Sequence, residues 1–244
     1  MGPITPQSEQ WLRLLLALCA AHLIADFPLQ PRSWVEAKAR RGWRSGHLYL
    51  HAAIAGFLSW LFVRQLQAWW ILVVVALGHA GIDALKARFR RDRAWLFLAD
   101  QIAHVGLVVL VAGVLARSGV SLSPPGIRTW AVVNAMLLVW WFEGELIAKA
   151  TRSWRAKLDE PAGDSRGLPD AGLWIGRLER ALVLVFVLIG RYEGIGFLIA
   201  AKSIFRFGEL TRPEQRREAE YILVGTMASV LMALLTGLGV RALS

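Results

Sequence analysis

The sequence is short of cysteine, of acidic residues and of long polar stretches, and each shortage excludes a class of protein. A single cysteine, Cys19, in 244 residues excludes a disulfide framework. It also leaves no thiolate set for a closed structural zinc site. Only 18 acidic residues stand against 28 basic ones, for a net charge of +10. Charged residues make up just 19% of the chain and come in bursts between apolar runs, so no continuous basic face is available to nucleic acid. The 56% hydrophobic content excludes disorder. The chain lacks G-x-x-x-x-G-K-[ST], a strand-bound G-x-G-x-x-G and H-E-x-x-H, which removes nucleotide-binding loops and standard zinc proteases.

What is present is apolar length. Crossing the hydrocarbon takes about 20 apolar residues as a helix. Spans are expected near 11–29, 47–63, 68–87, 95–116, 129–149, 174–190 and 220–240, with a short or re-entrant leg near 194–206. Tryptophans Trp11, Trp60, Trp69, Trp95, Trp130 and Trp174 mark span ends, where an amphipathic ring belongs. The fold class is therefore all-α: a polytopic transmembrane helix bundle of seven to eight spans. Two halves are expected, 1–117 and 118–244, the second with a polar loop over 150–173. Nineteen of the 28 basic residues fall in the segments 30–46, 86–94, 149–173 and 206–217. The positive-inside rule puts these four in the cytoplasm and both termini outside. The first run is expected to be a retained span, since no Lys or Arg precedes Arg13 and no A-x-A site follows the apolar core. The expected compartment is a bacterial inner membrane.

All five histidines lie in the first 104 residues, and four spans carry i, i+4 pairs: His22 with Asp26, His47 with His51, His79 with Asp83, Asp100 with His104. Such spacing puts both members on one helix face. Odd spans carry their pair near the end and even spans near the start, so all four pairs share one depth. Ionisable groups inside a membrane are costly unless they face a bundle interior and find partners. Imidazole mixed with carboxylate suits a divalent metal, zinc first and manganese or iron next. The expected ligands are His22, Asp26, His51, His79, Asp83 and His104, with Asp100 as catalytic base and His47 the weakest member of the layer. A purely structural hydrogen-bonded layer is the competing reading. In the second half, Arg177, Arg180, Lys202 and Arg206 are candidates for substrate or lipid contact.

The motifs HLIADFPLQP, HLYLH, GHAGIDALK and DQIAH, in this order, resemble the bacterial membrane family called domain of unknown function 3307. The stretch GRLERALVLVFVLIGRYEGIGFLIAAKSIFRF, followed by EYILVGTMASVL, looks like the C-terminal part of its longer members. The family is uncharacterised, so the resemblance implies membership and no activity. In style, the His/Asp arrangement is also distantly similar to inner-membrane metal-dependent hydrolases.

The expected function is an intramembrane metal-dependent hydrolase. A divalent metal supplies Lewis-acid activation of water at neutral pH. A site at head-group depth suits a lipid or lipid-linked ester or phosphoester, drawn in by basic cytoplasmic loops. The alternatives are a non-enzymatic scaffold or assembly factor, and a metal-ion or proton transporter. Membrane lipid is the expected partner, no nucleic acid is expected, and nothing in the sequence names a protein partner.

Overall fold

The computed structural model describes residues 5–89, 93–122, 125–156, 170–210 and 216–243, without the side chains of 205–210, 216 and 218. Arg90, Arg91, Lys157, Arg166 and Arg212 of the basic segments lie outside the described residues, as does most of the 150–173 loop. Every regular element among the described residues is helical. Among the described residues, five helices are long and apolar enough to cross a membrane, at Gly46–Val63, Leu66–Lys86, Ala94–Arg117, Ile127–Ala150 and Ala219–Ala242.

The chain divides into two compact units, Met1–Leu137 and Leu138–Ser244. The first unit holds α1 (Pro6–Asp26), α2 (Arg32–Arg41), α3 (Gly46–Val63), α4 (Trp70–Lys86), α5 (Ala94–Arg117) and α6 (Ile127–Leu137). Thr5 caps α1, its hydroxyl accepting from the Ser8 amide at 3.3 Å, and Pro6 opens the first turn. Pro28 and Pro31 stop the helix and open a corner, because neither can donate a backbone hydrogen. The expected loop over 30–46 contains α2 instead. Its end is set by Gly42 at φ +54°, a conformation that favours glycine.

α1, α3, α4 and α5 form a closed ring in which each helix packs on the next, and α6 lies on the outside of α1. α1 turns Ala17, Ala20, Ala21 and Ala25 inward, and these small side chains let its neighbours close in. At one end the ring is filled by Leu14, Leu18, Ile71, Val75, Val111 and Leu115. The other end holds the polar layer. α3 and α4 pack tightly at Gly56, where an added Cβ would lie 2.3 Å from the Leu72 carbonyl oxygen.

The second unit opens on a π-helical turn, Leu138–Phe142, and continues through α7 (Glu143–Ala150), α8 (Arg152–Arg155), α9 (Ala171–Leu188), α10 (Tyr192–Leu210) and α11 (Arg216–Ala242). α9 packs on α11 and α10. Gly190 at φ +72° makes the expected reversal between α9 and α10. The leg that follows is not short. α10 has 19 residues and reaches about 28 Å at about 1.5 Å per residue.

Candidate metal centre

Each helix of the ring brings its pair to the same end. His22 and Asp26 close α1, His51 stands in the second turn of α3, His79 and Asp83 lie in the last turns of α4, and Asp100 and His104 follow the first turn of α5. The four imidazoles are buried: His22 at 5%, His51 at 0%, His79 at 2% and His104 at 1% exposure. Their rings touch, with centroids 4.2 Å apart for His79 and His104, 4.7 Å for His51 and His79, and 4.9 Å for His22 and His104. His47 is apart from this cluster and packs on Trp34 at 5.6 Å.

The centre of the layer is a triangle of donor atoms. His51 Nε2 and His79 Nε2 are 2.9 Å apart, and each is 3.2 Å from Asp26 Oδ1. Donors held tetrahedrally by one zinc stand about 3.3 Å apart, given Zn–N bonds of about 2.0–2.1 Å. Gln30 Nε2 also reaches His51 Nε2, at 2.6 Å. An imidazole nitrogen has one lone pair or one hydrogen to offer, so it cannot satisfy three such neighbours. Asp26 Oδ1 is buried without a hydrogen-bond partner.

His104 is prepared on one side. Its Nδ1 donates to the Asp100 backbone carbonyl at 2.9 Å. A carbonyl only accepts, so the hydrogen is on Nδ1, and in the neutral imidazole Nε2 then carries a bare lone pair. That Nε2 is buried and without a partner. Two donor sets share His79: His22, Asp26 and His79, and His51, His79 and Asp83. A third joins Asp26, Asp100 and His104. His22 Nδ1 is 3.7 Å from Asp26 Oδ1, and its Nε2 pairs with Gln101 Oε1 at 3.3 Å. All six expected ligands and Asp100 are thus in one cluster.

Four further residues belong to it. Lys38 of α2 donates to Asp83 Oδ2 at 2.5 Å, and Lys86 at the end of α4 donates to Asp100 Oδ2 at 2.6 Å. Gln101 Nε2 donates to Asp26 Oδ2 at 3.1 Å and to Asp100 Oδ2 at 3.3 Å. Gln30 is the fourth. Gln101 had a usable signal, since it is three residues before His104 and so shares its face. Lys38 and Lys86 read from the sequence only as loop charges.

The second-unit candidates do different things. Arg180 is buried at 5%. Its Nε donates to the Val139 carbonyl at 2.5 Å, and its guanidinium also reaches Ser229 Oγ at 3.3 Å. Arg177 Nε donates to the Trp140 carbonyl at 3.1 Å. Both carbonyls belong to the π-helical turn, whose irregular ladder leaves acceptors for side chains. Lys202 donates to Glu179 Oε2 at 2.6 Å. These three therefore have internal partners. Arg206 is in α10, and its side chain lies outside the described residues.

A membrane helix bundle with a buried His/Asp layer is the class these features define. Residues 14–132 match the family described as "Protein of unknown function (DUF3307)". The matched residues carry the whole layer and the four motifs, and the C-terminal stretch lies beyond the match. No curated protein and no solved structure matches the chain.

Proposed function

We propose that the layer binds a divalent metal, zinc first, and that the protein is a metal-dependent hydrolase. Its substrate is a lipid or lipid-linked ester or phosphoester at the cytoplasmic face of a bacterial inner membrane. The observation that carries this is the Asp26–His51–His79 triangle. Its edges fit one coordination shell, its Asp26 Oδ1 corner is without a hydrogen-bond partner, and the unpartnered His104 Nε2 belongs to a ring packed against His79. Bare lone pairs packed together in a buried site call for a cation. A divalent metal held there supplies Lewis-acid activation of water. Asp26, His51, His79 and His104 hold it, His22 and Asp83 flank it, and Asp100 takes the proton.

We read α1, α9 and α10 as spans beside the five apolar helices, which makes eight and puts both termini outside. A transport path gains no support, because the far end of the α1–α3–α4–α5 ring is filled by leucine, isoleucine and valine.

One observation favours the scaffold reading. Lys38 and Lys86 already neutralise two of the three aspartates, and an internally paired layer can set helix register without chemistry.

Elemental analysis of tag-free protein separates the two. The expected result is near-stoichiometric zinc, manganese or iron that is lost in His79→Ala while the variant still inserts. No metal in the parent, with His79→Ala less stable, would make the layer structural.

A further inference from the structure

We propose that the metal-loaded layer takes up one phosphate-type anion through Lys86, and that metal and anion bind cooperatively. This rests on the metal reading above and names the chemistry of what that site holds.

The first argument is charge. Asp26, Asp83 and Asp100 meet Lys38 and Lys86 in the layer. With the imidazoles neutral, as metal ligands are, that set carries one negative charge. A divalent cation converts it to one positive charge. Uncompensated charge among buried groups is costly, so the loaded layer is stabilised by one anion.

The second argument is geometry. Lys38 is closed in beneath α2, its side chain 9% exposed, and it is committed to Asp83. Lys86 is open. Its side chain is 43% exposed, yet it grips an Asp100 that is 2% exposed. It therefore runs from the surface into the layer. An ammonium has three donors, and Asp100 Oδ2 uses one. Gln101 Nε2 donates to the same oxygen, so Asp100 keeps a partner when Lys86 turns to an incoming anion. That exchange also frees Asp100 to accept a proton.

The third argument is the surrounding surface. Arg32, Arg40, Arg41 and Arg44 are exposed on α2 and the turn after it, and Arg88 and Arg93 are exposed between α4 and α5. Such a surface concentrates anions at this end of the ring. A phosphate group, inorganic or diester, has at least two charged non-bridging oxygens, enough to meet metal and lysine together. A phosphodiester also carries the single negative charge that the loaded layer lacks.

Zinc affinity of the full chain in maltoside micelles, read by chelator competition, tests this. It is measured alone, with inorganic phosphate, and with short-chain phosphatidylglycerol. A phosphate source is expected to tighten zinc about tenfold, within the usual range for coupled ligands. A larger effect of the lipid assigns the site to a head group, and a larger effect of inorganic phosphate assigns it to the free anion. Lys86→Gln keeps zinc and loses the tightening. Lys86→Arg, which keeps the charge at this partly exposed position, retains most of it. Asp100→Asn adds one positive charge and increases it. Zinc that binds equally with and without phosphate overturns the anion proposal and leaves the metal site standing, as does full tightening in Lys86→Gln. No zinc uptake under any condition overturns the metal reading, and the anion proposal with it.

Discussion

Asp100 has its two oxygens in different situations. Oδ2 accepts from Lys86 and Gln101, while Oδ1 is buried without a hydrogen-bond partner. A carboxylate held in place through one oxygen and bare at the other is suited to accept a proton from an attacking water. Asp26 differs, because its free oxygen points between two imidazole nitrogens. The two aspartates thus take different roles. Asp100→Asn keeps the shape and the hydrogen bonds to Oδ2 but removes the base. It is expected to lower phosphodiester turnover about 10²-fold or more, in the usual range for a lost general base, with metal content near that of the parent. Release of p-nitrophenol from bis(p-nitrophenyl) phosphate, followed beside elemental analysis, checks this. Equal loss of turnover and metal would make Asp100 a ligand.

The same residues show what was legible in the sequence. The i, i+4 pairs were legible because helix periodicity alone places both members on one face. Gln30 was not, since a neutral amide costs little in a membrane interface and draws no attention there, and Gln101 was marked only by its spacing from His104. Lys38 was not, because a lysine in a basic segment reads as a cytoplasmic charge, and only the fold turns it inward onto Asp83.

At the scale of elements, the hairpin of α3 and α4 sets the distance between His51 and His79. The two helices pack tightly where Gly56 meets the Leu72 carbonyl, five residues beyond His51. That oxygen is backbone, so it cannot swing aside. Gly56→Ala is expected to force α4 away, destabilise the protein by about 1–3 kcal/mol as overpacking does, and reduce metal content. Gly81→Ala on α4 is the contrast: its Cβ meets nothing within 4 Å. There the better helix propensity of alanine is expected to leave stability unchanged or raise it by up to about 1 kcal/mol. Thermal unfolding followed by tryptophan fluorescence reads both. Equal melting temperatures for the two variants would mean that this crossing does not limit the packing.

The end of the 174–190 span was legible, because its apolar run stops at Gly190, where the chain turns back. Two elements were not. α2, RSWVEAKARR, is too short and too basic to stand out from a charged loop. The sequence reads 194–206, in α10, as a short leg because its apolar stretch has only thirteen residues. The helix continues through Lys202 because Glu179 of α9 takes its charge.

At the scale of the whole molecule, the open question is how many helices cross. α9 carries Arg177, Glu179 and Arg180, and α10 carries Glu193, Lys202, Arg206 and Glu209, which keep both out of the strongly apolar set. Four of these charges are spent inside the protein. Arg180 and Arg177 serve the π-helical turn, and Lys202 serves Glu179. Charges partnered within the protein lower the cost of spanning, so composition alone undercounts these helices. If α9 and α10 both cross, Arg191 between them faces outward, as do Ser8 and Ser118, while Ser33 and Ser153 face the cytoplasm. All five positions are exposed in the structure. In a Cys19→Ser background, single cysteines at Ser8, Ser118 and Arg191 are expected to react with a membrane-impermeant maleimide on intact cells. Cysteines at Ser33 and Ser153 are expected to react only after lysis. Labelling at Ser33 from outside would invert the orientation and take the polar layer away from the cytoplasmic face. An Arg191 cysteine that reacts only after lysis, with Ser118 labelled from outside, would mean that α9 and α10 do not cross. The substrate would then have to reach a bundle with fewer spans, and the lipid-facing part of the proposal would rest on the α1–α3–α4–α5 ring alone.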